Sequence, residues 1–119
     1  MAAIKGRDTR CEMAFARLLR KEKIRYRRAT NHLPGKPDFI LMDARVAIFV
    51  DGDFWHGRFF QSWKQKLSIY WLKKISGNRR RDRRVGTQLR RIGFQVVRIW
   101  ESDLQKRPPQ AIAKIRSKM

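Results

Sequence analysis

The chain has 119 residues, 30 of them Lys or Arg and 10 Asp or Glu, giving a formal net charge of +20 and a pI near 11.6. That length holds one domain (1–119) with a modest core and excludes two. No apolar run approaches the roughly 20 residues of a membrane-spanning helix, and no signal-peptide pattern opens the chain. The lone cysteine, Cys11, excludes an internal disulfide, argues against a cysteine-based zinc site and fits a reducing, cytoplasmic setting. Such a charge selects polyanionic partners: nucleic acid first, an anionic membrane surface second. Composition alone fits a ribosome-type or nucleoid binder as well as an enzyme.

In chain order, the spacing predicts a helix from 9 to about 23. Thr9 and Glu12 have capping-box spacing, and Phe15, Ala16 and Leu19 follow at helical intervals. Residues 24–28 read as a first edge strand, and 31–37, with Pro34-Gly35 inside, as a loop. Two apolar runs, 38–42 and 45–50, read as a hairpin. A loop over 52–61 carries Phe54, Trp55 and His56. A helix from about 68 to 75 is predicted to break at Gly77, with a second helix from about 78 to 92 that Gly93 stops. The β-branched run 94–100 is a last strand, joining the central strand in parallel through a crossover. Pro108-Pro109 opens a C-terminal helix ending near 118. The implied fold class is α/β, a mixed sheet flanked by helices.

Carboxylates collect where these elements meet. Asp38 starts one hairpin strand and Asp51 and Asp53 end the other, so pairing brings Asp38 beside Asp51 at one edge of the sheet. Hard oxygen ligands so gathered favour magnesium; the plain alternative is that each acid caps a strand end in solvent. The unperturbed pKa of an imidazole lies near neutrality, so His56 suits activation of a water. Asp82, Val85, Leu89 and Ile92 share a helical face turned to the sheet, so Asp82 points inward while Arg79, Arg80, Arg81, Arg83 and Arg84 fan outward. There it either orients His56 or softens the basic cluster as a salt-bridged acid. Glu12 closes the capping box, or reaches the metal or its waters from a helix packed beside the strand ends. The arginine row with Lys64, Lys66, Lys73 and Lys74 offers phosphate contacts. Phe54 and Trp55 are candidate wedges between bases, whereas Trp63 and Trp100 read as core.

Taken together, Arg7-Asp8-Thr9-x-x-Glu12, Leu33-Pro34-Gly35-Lys36-Pro37-Asp38, Phe54-Trp55-His56, Trp71-x-x-Lys74-Ile75, Asn78-x-x-x-Asp82-Arg83-Arg84 and the run Gly93 to Glu101 resemble the very-short-patch-repair (Vsr) endonuclease family. The resemblance runs from about 5 to 103, with the motifs in the family's order. It implies the PD-(D/E)xK restriction-endonuclease-like fold and magnesium-dependent nicking of a DNA duplex, at T:G mismatches in repair members. By the same resemblance Asp38 is the metal-binding aspartate and His56 the catalytic histidine, with Asp82 its carboxylate partner. Glu12 is the helical glutamate near the metal, and Val50 lends its main-chain carbonyl. Phe54, Trp55 and Trp71 fall where members insert aromatics.

The departures are as specific as the matches. A second family histidine is replaced by Asp51, an added metal ligand or a change in proton handling. The family's structural zinc positions are Asp53, Arg58, Phe60 and Ser102 here, a set that implies no zinc. The N-terminal arm of repair members has little counterpart, and the acid–histidine set also resembles Vsr-like catalytic domains of homing endonucleases. The expectation is a magnesium-dependent DNA endonuclease with Asp38, Val50 and Asp51 at the metal. DNA would meet Phe54, Trp55, Trp71, Lys74, Arg79, Arg80, Arg83 and Arg84. The alternatives are a mobile-element nuclease without mismatch preference and a non-catalytic basic binding module.

Overall fold

A computed structural model describes residues 10–28, 32–53, 57–58 and 68–119. Helix α1 spans Arg10–Lys21; strands β1 (Phe39–Leu41) and β2 (Val46–Asp51) follow, then the long helix α2 (Ile69–Arg91), strand β3 (Gln95–Trp100) and helices α3 (Glu101–Lys106) and α4 (Pro108–Arg116). Thr9, Phe54, Trp55, His56, Phe60, Trp63, Lys64 and Lys66 lie outside the described residues.

The sheet has the order β1-β2-β3. β1 is antiparallel to β2, with Phe39 opposite Ile48, and β2 is parallel to β3, with Phe49 opposite Arg98. Every β2 residue is buried because the strand is central and covered on both faces. One face, Phe39, Leu41, Val46, Ile48, Val50, Val97 and Ile99, forms a core with Phe15, Ala16 and Leu19 of α1, Leu104 of α3 and Ile112 and Ile115 of α4. The opposite face, Ile40, Ala47 and Phe49, packs with Leu89 and Phe94, bordered by Leu33, Val85 and Val96. This mixed α/β arrangement is compatible with the restriction-endonuclease-like fold. Among the described residues no helix is long and apolar enough to cross a membrane.

Several elements differ from the sequence expectation. The strand expected over 24–28 reduces to one bridge, Arg27 with Ile40. Next along that edge, the Asp38 carbonyl accepts from Arg28 Nε at 3.0 Å, so a side chain stands where a ladder would continue. Gly77 does not break the long helix: α2 runs through it for 23 residues. One interior glycine costs about 1 kcal/mol, too little to outweigh the strong helix formers on either side and the packed Ile75 and Leu89. Ile92 leaves the inward face predicted for it and is 48% exposed, because it is the C-cap, where the helical rotation stops.

The end of α2 is built by a Schellman motif. Gly93 adopts φ +97°, its N–H bonds the Arg90 carbonyl and the Phe94 N–H bonds the Leu89 carbonyl. Arg45 then donates to the Ile92 and Gly93 carbonyls, at 2.9 and 3.2 Å, placing a cation at the negative end of the helix dipole. Helix α3 follows β3 without a break, over residues to which the sequence assigns no element. Its first turn carries Glu101 and Asp103, acids that favour a helix start.

Candidate active site

The rim of the sheet is organised by the hairpin. Asp38 extends the β1–β2 ladder by one residue, its N–H bonding the Ile48 carbonyl at 2.9 Å. Its carboxylate turns back along β2, and Oδ2 accepts from the Val50 N–H at 2.7 Å. The carboxylate and the main chain of Val50 are thus joined by a short, charge-assisted bond. The preceding loop holds this geometry: Gly35 has φ +73° and lies so close to α2 that a Cβ there would fall 2.4 Å from Val85 Cγ1.

One step further along β2, Asp51 is buried. Arg98 of β3 donates through Nη1 to both its carboxylate oxygens, each at 3.0 Å. The same guanidinium lies 4.1 Å from the centre of the Phe49 ring and carries Nη2 to 3.6 Å from Asp82 Oδ1 on α2. Parallel register explains the contacts: Phe49 faces Arg98, so both emerge on the α2 side and the arginine reaches one residue up to Asp51. Asp82 is half-buried and turned to the sheet, as its helical spacing predicted, while Arg80, Arg81, Arg83 and Arg84 are exposed. One cation therefore ties the end of β2 to the middle of α2.

Glu12 approaches from the other side. It is buried on α1 with Phe15, Ala16 and Leu19. Arg28 Nη2 meets its Oε1 at 2.6 Å, while Arg28 Nε holds the Asp38 carbonyl and the guanidinium covers the Phe39 ring at 4.3 Å. Glu12 thus reaches the Asp38 backbone through an arginine. A buried carboxylate needs such a partner, because unpaired it costs several kcal/mol.

A cationic side of the molecule follows α2. Ser68 caps it, its Oγ accepting from the Trp71 N–H at 3.5 Å. Ile69 and Tyr70 are 71% and 62% exposed, Tyr70 meets Trp71 edge-on at 5.0 Å, and Lys74 Nζ lies 5.9 Å from the Tyr70 ring. Trp71 and Arg79 are half-buried; Lys73, Lys74, Arg80, Arg83 and Arg84 are exposed.

Two residues of this site were not singled out from sequence, Arg28 and Arg98. Both left a signal. Ile24, Tyr26 and Arg28 alternate inward with Arg25 and Arg27 outward. Arg98 is the only charge within the strand run Gln95–Trp100. Among the described residues no three His, Cys, Asp or Glu side chains form a group that would hold a metal on its own. The donor chemistry at the rim, one carboxylate bonded to the main chain of a neighbouring strand, nonetheless suits magnesium, which takes few protein ligands and keeps several waters.

Comparison with known proteins adds an independent line. Residues 1–64 match the family model for DNA mismatch endonuclease Vsr. The chain is 38% identical over 109 residues to the DNA mismatch endonuclease Vsr of Escherichia coli K12, covering 90% of this chain and 70% of that protein. It is 35% identical over 119 residues to the type II nicking enzyme V.NmeDIP of Neisseria meningitidis serogroup C, covering 98% and 80%. Against the type II nicking enzyme V.HpaIIP of Haemophilus parainfluenzae the identity is 33% over 110 residues, covering 90% and 78%.

Proposed function

The chain belongs to the DNA mismatch endonuclease Vsr family, and from that membership we propose that it nicks one strand of a DNA duplex at a T:G mismatch with the help of magnesium. The observation that carries the site is the bond between the Asp38 carboxylate and the Val50 N–H at the rim, 2.7 Å long. Asp38 and the Val50 carbonyl would hold the ion. When bound, magnesium polarises the scissile phosphate and stabilises the charge developing on the leaving oxygen.

The remaining chemistry belongs to side chains. His56 takes a proton from the attacking water, and Asp82 orients the imidazole and stabilises its charged form. Asp51 serves as the counter-ion of Arg98, which supports this role over that of a metal ligand because the cation already spans both its oxygens. Glu12 acts through Arg28, fixing the Asp38 backbone. Lys74, Arg79, Arg80, Arg83 and Arg84 neutralise phosphates, and Phe54, Trp55 and Trp71 wedge against the unstacked mismatch.

A nicking assay on T:G-mismatched and fully paired duplexes, with and without magnesium, tests this reading. His56→Ala and Asp38→Ala are each expected to lower nicking by roughly 10²-fold or more, with salt-sensitive DNA binding retained. Wild-type rates in either variant reject the site. Equal cutting of paired and mismatched DNA rejects the mismatch preference and leaves a nuclease of mobile-element type.

A further inference from the structure

The positions that correspond to the family's zinc ligands do not fit zinc. A guanidinium carries only donors and stays protonated, so Arg58 cannot ligate a cation. Asp53 and Ser102 are instead turned on one another. The Ser102 N–H donates to Asp53 Oδ1 at 3.2 Å and the Ser102 hydroxyl to Oδ2 at 2.5 Å. Arg58 Nη1 donates to Ser102 Oγ at 2.8 Å and lies 2.9 Å from Asp103 Oδ1 and 3.6 Å from Asp53 Oδ2. Its guanidinium stands 5.6 Å from the Trp100 ring centre. The backbone closes the same circuit, with the Arg58 N–H bonded to the Asp53 carbonyl at 2.9 Å and the buried Gly57 at φ +69°.

We propose that Asp53, Arg58, Ser102 and Asp103 form a metal-free clamp that ties Arg58 back to Asp53 and pins both to the junction of β3 and α3. It stands in for the metal that ties these positions in the family. His56 lies between the two clamped ends by sequence, so Arg58 and Ser102 are positioning residues for it. This last step rests on the nuclease reading given above; the clamp itself does not.

Among the described residues no buried side-chain nitrogen or oxygen lacks a partner, the clamp's included, and four side chains share one network, which distinguishes it from a chance surface pair. Asp53 and Arg58 are both largely shielded, with 25% and 19% of their side-chain surface exposed, so solvent screens these contacts less than it would a surface ion pair. Carboxylate, guanidinium and hydroxyl also complement one another without any thiolate, so the clamp is indifferent to redox state and to zinc supply.

Amide hydrogen exchange on the full chain tests the clamp without reference to activity. In Ser102→Ala and in Arg58→Ala, exchange across 53–58 should rise roughly 10-fold while β2 and β3 keep their protection. Single-turnover nicking of mismatched DNA should fall roughly 10- to 100-fold with the Kd for DNA within about twofold of wild type, the signature of a displaced catalytic group. Arg58→Lys, which keeps the charge and loses the fork, should recover part of both. Equimolar Zn²⁺ should change neither the melting temperature nor the exchange pattern. Unchanged exchange in the variants overturns the clamp, as does a stoichiometric, stabilising zinc. Raised exchange with an unaltered rate overturns the positioning role. An active His56→Ala would defeat the nuclease reading instead, and the exchange result would still decide the clamp.

Discussion

Arg98 holds two acids from different elements, and removing it exposes how much of the rim depends on one cation. Arg98→Met keeps apolar volume over Phe49 but leaves buried Asp51 without this guanidinium. The expected loss is about 2–3 kcal/mol by urea denaturation, below the full value for a buried pair because Arg98 retains 24% side-chain exposure. Adding Asp51→Asn should return about 1 kcal/mol or more, since the uncompensated charge disappears with it. A loss below about 0.5 kcal/mol would make Arg98 an ordinary surface residue. Asp103 has a smaller effect of defined sign. The guanidinium of Arg107, and then that of Arg58, hold its carboxyl below the ordinary carboxylate range. Its contribution to stability is therefore present above the unfolded pKa and lost as pH falls through the lower folded value. Asp103→Asn should lower stability modestly at neutrality, flatten the acid limb of a stability–pH curve and change little once the pH is below the folded value. At this scale the sequence disclosed the acids better than their partners. Asp38 and Asp51 follow from strand ends, and Asp82 from helical spacing. Arg28 and Arg98 were hidden because on a chain of charge +20 every cation reads as facing phosphate. What distinguishes them is the demand of a buried carboxylate for a counter-ion.

Helix α2 supplies the clearest element-scale test, because Gly77 within it and Gly35 in the loop packed against it should respond in opposite directions. Among the described residues a Cβ at Gly77 would meet only Arg80 Nη2, at 3.8 Å. Gly77→Ala should therefore stabilise the protein by about 0.5–1 kcal/mol through the unfolded state, seen as a raised denaturation midpoint. Gly35, in the loop against α2, has φ +73° and no room beside Val85. Gly35→Ala should destabilise by roughly 2 kcal/mol or more and slow nicking, because this loop runs directly into Asp38. Equal effects of the two substitutions would contradict this account of the helix. The hairpin and the parallel β2–β3 pairing were legible because apolar runs, a short connection and an intervening helix fix them. The long helix was misread at Gly77 because a single breaker was weighed without the packing of Ile75 and Leu89 on either side. Helix α3 was missed because Trp100 and Glu101 pass from strand to helix with no turn residue between them. The edge strand failed where Arg28 took the Asp38 carbonyl.

Over the whole molecule the two kinds of charge are sorted. Glu12, Asp51, Asp53, Asp82 and Asp103 are each engaged by an arginine within the fold. Acids thus tie elements together while Arg80, Arg83 and Arg84 stand exposed along α2. That sorting leaves a cationic flank along α2 beside the rim that carries Asp38, so on the proposed function phosphate would meet the flank and a divalent ion the rim. Binding should then be dominated by counterion release, with log K falling linearly in log salt by about 0.9 for each phosphate neutralised on duplex DNA. The triple variant Arg80→Ala, Arg83→Ala, Arg84→Ala is expected to reduce that slope by about 2–3, and to weaken mismatched and paired duplexes alike. At saturating DNA its nicking rate should remain near wild type, because the role proposed for these side chains is to bind the backbone and not to transfer a proton. A titration over a range of sodium chloride, read by fluorescence anisotropy, measures the slope directly. An unchanged slope would move the DNA to another face of the protein and part the basic helix from the site it flanks.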